Sequence, residues 1–257
     1  MPALRTVAVT RYVTPLREGG SLPALVEADD DGLYVLKFRA AGHGLLALIA
    51  ELVAGEIGRA LGLPVPEIVL ATLDRELART EPDPEIHALM FDSGGLNLAL
   101  DYLPGSVSFD PIAHTVPADL ASRIVWFDAF VCNVDRTPRN TNMLMWHRAP
   151  WLIDHGSTLY FHHSPGWEAN PERPRDRFAP IRQHVLLHLA SRLREEDEAL
   201  AAALTPDTID GILALVPDEW LAGDGGSANA VRGNYRRYFT ERLAPPRAFV
   251  DEAISGR

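Results

Sequence analysis

The sequence predicts an α+β fold in two lobes, and three observations support it. Short strand-like runs fill residues 6–38 and return at 97–103. One Leu- and Ala-rich run, residues 45–61, is typical of a long helix. The second half of the chain carries helical patterns at 119–132, 183–204, 206–216 and 229–243. We therefore expect a small antiparallel sheet with one helix over residues 1–103, followed by a mainly helical lobe over residues 104–257.

Composition narrows the class of protein. The chain has 257 residues, of which 47% are hydrophobic, and a formal net charge of -11. Nucleic-acid binders normally present a basic face, so we expect no direct nucleic-acid partner. No apolar run is long enough for a membrane span, and no signal-peptide order of charges precedes an apolar run. The single cysteine, Cys132, excludes an internal disulfide. These features predict a cytoplasmic protein.

The most informative stretch is residues 133–156. Asp135 is followed five positions later by Asn140, the offset found in the catalytic loop of protein kinases. A short apolar run then leads into Asp154-x-Gly156, the arrangement of the kinase metal-binding loop. Phosphoryl transfer needs a carboxylate that receives the proton of the nucleophile and oxygen ligands that hold Mg²⁺ against the phosphates of ATP. The stretch therefore predicts a protein-kinase-like fold, with Asp135 as base and Asn140 and Asp154 as Mg²⁺ ligands.

A lysine lies in the otherwise apolar strand at residues 34–38, where a charged side chain needs a reason. Lys37 fits the lysine that holds ATP phosphates from the third strand and pairs with a glutamate on the next helix. Glu51 lies between apolar neighbours in the middle of that helix, whereas Glu56 is the weaker candidate for the pair. The alternative is an edge-strand lysine that discourages aggregation. The order of lysine and glutamate along the chain favours the ion pair.

The stretch Gly19-Gly20-Ser21 lies between the first two predicted strands. Adjacent glycines let main-chain N–H groups approach a phosphate, so a hairpin here could cover the nucleotide. A plain glycine turn is the favoured interpretation of this stretch alone, because Gly-Gly-Ser is far weaker than G-x-G-x-x-G.

The strand-like run at 97–103 ends before Pro104. By its order in the chain it is the last strand of the first lobe. We expect the main chain of Asp101, Tyr102 and Leu103 to face the adenine of ATP.

Four polar residues outside this pattern are less decisive. Asp128 lies on the apolar helix at 119–132, where it either braces the catalytic loop or faces solvent. His155, His162 and His163 invite a metal site, but no companion Cys or carboxylate has the spacing that zinc requires. We therefore discount a histidine metal site and leave both interpretations of Asp128 open.

The assembled pattern resembles the HipA-like kinases. It consists of Lys37, Glu51, the run Leu61-Gly62-Leu63-Pro64-Val65-Pro66, Asn133-x-Asp135 with Asn140, and Asp154-x-Gly156. The resemblance extends from about residue 6 to about residue 220 and is most specific over 133–156. In that family the corresponding residues are the base, the Mg²⁺ ligands and the lysine that holds ATP phosphates. These roles fall on Asp135, on Asn140 with Asp154, and on Lys37, and Asn142 is a further candidate near the metal.

The resemblance also implies partners. Family members transfer phosphate to proteins of translation, which implies a serine or threonine hydroxyl of a protein as acceptor. Some belong to toxin–antitoxin modules, so an antitoxin-like partner is one candidate. This chain is shorter than the full-length toxin, and we expect the additional N-terminal subdomain of the toxin to be missing. Some members phosphorylate a serine in their own phosphate loop, and Ser21 is the serine positioned for that reaction here.

Two functions of different classes are compatible with these residues. One is an active kinase that uses ATP and Mg²⁺. The other is a catalytically silent nucleotide-binding module that acts through partners. The acidic and amide residues that the chemistry needs are all present, which favours the enzyme. Asp-His-Gly also occurs in phosphoinositide-kinase-like folds, so a lipid or small-molecule acceptor is a further alternative.

Overall fold

The structure is a computed structural model, and it describes residues 3–16, 22–222 and 227–257. The first part of the chain forms a small closed barrel whose strands lie in the order β1-β2-β3-β5-β4. The strands are β1 (Thr6–Pro15), β2 (Ala24–Ala28), β3 (Leu33–Lys37), β4 (Ile68–Leu73) and β5 (Gly95–Asp101). Neighbours pair antiparallel except β1 and β4, which pair in parallel and close the barrel. The sequence had predicted an antiparallel sheet. This holds for every pair of neighbouring strands except β1 and β4.

Helix α1 (Leu45–Ala60) packs between this barrel and the rest of the chain. Its apolar residues belong to one continuous core with the helices that follow, whereas the barrel interior is a separate cluster. Gly58 favours this close packing, because a Cβ at this position would lie 3.1 Å from Val65 and 3.4 Å from Phe127, and these side chains would have to shift by a few tenths of an ångström. The helix that carries Glu51 is thus held against both lobes.

The second lobe is mainly helical, with one small sheet of three strands. A short helix, α2 (Pro84–Asp92), precedes β5 in the chain. Within the described residues the second lobe contains β6 (Val107–Ser108), α3 (Ala118–Phe130), β7 (Met143–Trp146), β8 (Ala149–Leu152), α4 (Leu193–Ala203), α5 (Pro206–Leu213), α6 (Asp218–Leu221), α7 (Ala228–Leu243) and α8 (Ala248–Ser255). In the described part of the chain, the helices are all too short or too polar to cross a membrane. The two-lobed, kinase-like α+β fold predicted from the sequence is confirmed.

The helix predicted over 183–204 is wrong in its first half. Residues 179–189 form short 3-10 turns, and α4 begins only at Leu193. The main-chain N–H of Val185 bonds to the carbonyl of Arg136, and that of Leu186 bonds to Nδ1 of His184. These N–H donors are used outside the hydrogen-bond pattern of an α-helix, so the apolar pattern of the segment reflects burial beside residues 133–142. We refer to this predicted loop as the catalytic loop.

The hairpin of β7 and β8 was not predicted as a pair of strands. Its turn is formed by His147 and Arg148, both with positive φ, at 48° and 66°. Such turns favour Asn-Gly or Asp-Gly, so the sequence carries no turn signal at this point. The hairpin matters because β7 follows the catalytic loop and β8 leads into Asp154.

Arg242 of α7 fixes the end of α3. Its guanidinium is buried and donates hydrogen bonds to the carbonyls of Ala129 and Phe130, which the helix leaves unpaired. The same group donates to the carbonyls of Pro174 and Asp176. One side chain thus joins the helix that precedes the catalytic loop to the segment that follows the Asp-x-Gly motif.

Candidate active site

Lys37 ends β3, and its ammonium lies between two carboxylates. Nζ is 2.6 Å from Oδ1 of Asp154 and 3.6 Å from Oε2 of Glu51, so it donates a hydrogen bond to the first and forms a longer ion pair with the second. Burial alone would lower the pKa of Lys37, but the two carboxylates outweigh burial and hold this pKa above its usual value. A charged lysine therefore links β3, α1 and the Asp-x-Gly loop.

Glu51 is ionised although it is buried in α1. Burial would raise the pKa of its carboxyl, but the charge of Lys37, with help from His155, holds that pKa well below its usual value. Nδ1 of His155 lies 3.4 Å from Oε1 of Glu51, and the imidazole ring packs edge-on against Phe127. His155 is thus a buried packing residue beside the ion pair. Glu56 forms its ion pair with Arg59 and not with Lys37.

Asp135 lies in the loop after α3 and accepts hydrogen bonds from two amides. Nδ2 of Asn140 is 2.9 Å and Nδ2 of Asn142 is 3.3 Å from the same Oδ2. Each amide therefore directs its nitrogen to the aspartate, which leaves its carbonyl oxygen available to an ion. Asn142 has a positive φ of 45°, and Asp154 one of 57°. Backbone of this kind is uncommon for residues other than glycine and concentrates at functional sites.

Two cavities meet at Lys37 and Asp154. The larger, of about 690 Å³, lies under the barrel, and its walls include Leu16 and Pro23 of the first hairpin and Leu144 and Ile153 of the second lobe. It is lined at one end by Asp101, Tyr102 and Leu103. The smaller, of about 270 Å³, is lined by residues that include Lys37, Glu51, Asp135, Asn140 and Asp154.

The catalytic loop stands on a buried network centred on Asp128. Its carboxylate accepts hydrogen bonds from Nδ2 of Asn133 at 2.7 Å, from Nε of Arg136 at 2.7 Å and from Nε2 of His184 at 2.9 Å. The side chains of Asp128 and Arg136 are fully buried. Burial would raise the pKa of Asp128, but Arg136 and His184 hold this pKa far below its usual value. Asp128 therefore braces the loop, and the solvent-facing alternative is wrong.

His184 and Arg136 complete this network. Because the N–H of Leu186 donates to Nδ1 of His184, the proton of this imidazole is on Nε2, where it is donated to Asp128. Burial lowers the pKa of His184 despite the neighbouring carboxylate, so the ring is neutral. Nη1 of Arg136 donates to the carbonyl of Asn142. The network thus fixes both ends of the loop that carries Asp135.

The structure brings most of the predicted site residues together. Lys37, Glu51, Asp135, Asn140 and Asp154 share the smaller cavity, and residues 101–103 line the larger one. Gly19, Gly20 and Ser21 lie outside the described residues, although Leu16 and Pro23 on either side of them are joined by a hydrogen bond of 2.7 Å. The sequence analysis missed Arg136 and His184. The position of Arg136 directly after the predicted base Asp135 was the one signal that could have pointed to it, and His184 had no such signal.

The donor set around the smaller cavity suits a hard divalent cation bound together with a phosphate. It offers the carboxylates of Asp135 and Asp154 and the amide oxygens of the two asparagines, and oxygen is the ligand that Mg²⁺ prefers. No cluster of three or more His, Cys, Asp or Glu suited to a metal occurs in the part of the chain that the structure describes. A cation here would need ligands from a bound phosphate, as in phosphoryl-transfer sites.

The sequence matches the profile of the HipA-like kinase family over residues 9–241. The fold is similar to that of the proinflammatory kinase CtkA of Helicobacter pylori, with a TM-score of 0.60 and 14% identity over 99% of each chain. Two structures of the Golgi casein kinase, one with Mn/ADP bound, align at TM-scores of 0.43 and 0.45, with 13% and 12% identity, over 99% of this chain and 75% and 74% of theirs. No curated protein matches the chain. The chain belongs to the HipA-like kinase family and is, by that membership, a kinase.

Proposed function

We propose that this kinase uses ATP and Mg²⁺ to transfer the γ-phosphate to a serine or threonine hydroxyl of a protein, with Asp135 as the base. The observation that carries the proposal is the meeting of two cavities at Lys37 and Asp154. One cavity is large and mainly apolar, and the other is small and lined by the polar residues that phosphoryl transfer requires.

The larger cavity is the proposed nucleotide site. Its volume of about 690 Å³ is in the range of small-molecule sites. Apolar side chains such as Leu16, Leu100 and Leu144 would contact the adenine, and the main chain of Asp101, Tyr102 and Leu103 would bond to its edge. Lys37 would then lie at the phosphate end, where its ammonium can hold the α- and β-phosphates. Gly19, Gly20 and Ser21 belong to this proposal as the cover over the phosphates.

The ammonium of Lys37 bonds to Asp154 in the structure. A phosphate bound beside Lys37 would compete for this ammonium, which frees the Asp154 carboxylate for Mg²⁺. The ion would neutralise the charge of the phosphates and is held in this proposal by Asp154 and by the Asn140 amide oxygen, with Asn142 nearby. Glu51 keeps Lys37 in place, because its buried carboxylate has Lys37 as its cationic partner.

Asp135 would accept the proton of the acceptor hydroxyl. The two asparagine amides orient its carboxylate by donating to one oxygen, Oδ2. The other oxygen, Oδ1, is then available to the acceptor. A general base must come within hydrogen-bond reach of the proton it abstracts, and the half-exposed position of Asp135 at the cavity permits this approach.

A boundary between the lobes after Leu103 is part of this proposal. It is supported by the end of β5 at Asp101 and by the cavity that residues 101–103 line. A cytoplasmic location and an antitoxin-like partner follow from composition and from the family, and both stay predictions.

Phosphorylation of Ser21 by the chain itself is also part of the proposal. Intact mass after incubation with ATP, followed by site mapping, tests it, and phosphate elsewhere or none at all would contradict it.

The first experiment is a thermal shift with ATP, with and without Mg²⁺, on the wild type and Asp154→Ala. Ligand at a hundred times its Kd adds about 2.7 kcal/mol, which raises the Tm of a chain of this size by roughly 5–10 °C. We expect a Mg²⁺-dependent rise in the wild type that is lost in the variant. Absence of a rise in the wild type would indicate a pocket that is inactive or that needs a partner to bind ATP, and would favour a catalytically silent module that acts through partners.

The second experiment tests the base. Asp135→Ala should abolish transfer of labelled phosphate and leave the ATP-dependent rise in Tm largely unchanged. Asp92→Ala, which removes an exposed carboxylate at the end of α2, is the matched control and should leave both unchanged. Transfer that survives in Asp135→Ala would show that the base is assigned wrongly. Transfer to lipid or a small alcohol but not to protein would support the alternative acceptor class.

A further inference from the structure

A third cavity, of about 740 Å³, opens beside the catalytic loop and is separate from the two proposed ATP and metal cavities. One wall is formed by residues 137–139, which directly follow Asp135 and Arg136. The other wall is formed by residues 182–188, and the last two residues of the chain close one end. We call this cavity the acceptor groove.

The acceptor groove is cationic on an acidic protein. Its lining residues include Arg139 and Arg182, and none is Asp or Glu. The whole chain, in contrast, has a formal net charge of -11. Arg182 pairs with Glu252 at 2.5 Å, but the same carboxylate also pairs with Arg177 at 3.0 Å. Because Arg177 and Arg182 share the single carboxylate of Glu252, these three side chains together keep one positive charge.

Both walls are fixed relative to Asp135. Thr137 and Asn140 exchange two main-chain hydrogen bonds, of 2.9 and 3.2 Å, which make a tight turn with the exposed Arg139 near its tip. The opposite wall is attached to the loop by the bond from Val185 N–H to the carbonyl of Arg136, at 3.1 Å. The buried His184–Asp128 contact holds the same wall from below. The shape of the groove is therefore fixed by hydrogen bonds to and within the loop that carries Asp135.

We propose that the acceptor groove binds an extended peptide segment that carries acidic residues within about four residues of the phosphorylated serine or threonine. Arg139 follows Asp135 by four residues, so their Cα atoms are at most about 14 Å apart. An extended peptide advances about 3.3 Å per residue, which gives the same distance in about four residues. The inference rests on the proposed function, because it assumes that the acceptor hydroxyl lies at Asp135.

A peptide fits the groove better than a nucleic acid. Single-stranded nucleic acids are bound on aromatic side chains that stack with the bases, and the lining residues include no Phe, Tyr or Trp. Carboxylates suit the planar guanidinium of arginine, which accepts them in a bidentate geometry. The mixture of prolines, Val185 and Leu187 between the charges suits the apolar side chains of a peptide.

The test measures binding without ATP, so it does not depend on catalysis. Fluorescence polarisation is recorded for three labelled nonapeptides with a central serine and glutamate, glutamine or lysine at two positions on each side. The full chain is used as wild type, Arg139→Glu and Arg194→Glu. The last is the matched control, since Arg194 is exposed on α4 and lies outside the groove. Circular dichroism melting confirms that the variants fold.

We expect the glutamate peptide to bind at least fivefold more tightly than the other two. Arg139→Glu and raised salt should remove this preference, and Arg194→Glu should not. Equal binding of the three peptides, or equal loss in both variants, would overturn the proposal. Tighter binding of an oligouridine than of the glutamate peptide, again dependent on Arg139, would overturn it in favour of nucleic acid.

The same peptides are then offered as acceptors with labelled ATP. Transfer that prefers the glutamate peptide supports both the groove and the proposed function. A wild type that binds the glutamate peptide with the expected preference but phosphorylates none of the peptides supports the groove. That outcome counts against the proposed protein-kinase activity alone, so the two failures are distinguishable.

Discussion

Removing the charge of Asp128 should destabilise the protein more than any change at an exposed ion pair. Asp128→Asn keeps the shape of the side chain but leaves Arg136 buried without a counter-ion. Both side chains are fully buried in the wild type, and Nε of Arg136 lies 2.7 Å from Oδ2 of Asp128. Loss of one partner from such a pair costs about 3–5 kcal/mol, because the remaining charge is neither solvated nor paired.

The expected fall in Tm follows from this cost. At roughly 2–4 °C per kcal/mol for a chain of this size, the fall is about 6–20 °C. The double variant Asp128→Asn/Arg136→Met removes both charges and should be less destabilised than the sum of the two single variants, since no unpaired charge remains. Glu76→Gln is the control, because its pair with Arg79 is exposed, and it should change the Tm by less than about 2 °C.

The assay is thermal and urea denaturation followed by circular dichroism at pH 7.5. The double-mutant cycle isolates the coupling between the two side chains. A fall of less than 3 °C in Asp128→Asn, or single effects that simply add, would refute the account of this network as a buried ion pair. A further expected result is that the double variant recovers stability but not phosphate transfer, because Arg136 no longer holds the carbonyl of Asn142.

Three other changes have defined outcomes. Burial lowers the pKa of His162 in the folded chain to about 3. As the pH falls, the unfolded chain therefore protonates this imidazole before the folded chain does. The free energy of unfolding is full above about pH 6.5 and falls below it. Between pH 7 and 5 this histidine contributes a loss of about 2 kcal/mol in urea unfolding, and His162→Gln, but not the exposed control His188→Gln, should remove that contribution. Lys37→Met should reduce the ATP-dependent rise in Tm by more than half, and an unchanged rise would contradict its phosphate contact. Arg242→Met leaves four carbonyls without their donor and should lower the stability by about 3 kcal/mol, with Arg242→Lys recovering less than half.

The sequence predicted the parts of the molecule that are determined locally. The helix predicted over 206–216 begins at Pro206, where the Thr205 side chain accepts a hydrogen bond from the N–H of Thr208, since capping depends on residues three apart. The turn at residues 29–32 between β2 and β3 is likewise local, since Asp and Gly residues adjacent in the sequence form it. The loop spacing from Asp135 to Asn140 also acts locally, and the two side chains are joined by a hydrogen bond.

The sequence could not decide the features that depend on distant partners. The barrel closes through a parallel contact between Thr6 and Leu70, and no local pattern specifies which edge strands meet. The helical pattern at 183–204 was misleading, because its first residues are apolar for contact with the catalytic loop and use their N–H groups there. Residues 17–21, which the sequence analysis considered as a cover over the nucleotide, lie outside the described residues.

The sequence alone therefore determined the fold class, the lysine and glutamate of the ion pair, and the order of acidic and amide residues along the catalytic stretch. Only the tertiary structure decided that Asp128 faces inward, because two of its partners, Arg136 and His184, are 8 and 56 positions away along the chain. It also decided that the catalytic loop borders a cationic groove on an acidic chain. Charge composition is a sum over the sequence, whereas binding depends on which charges the fold places side by side.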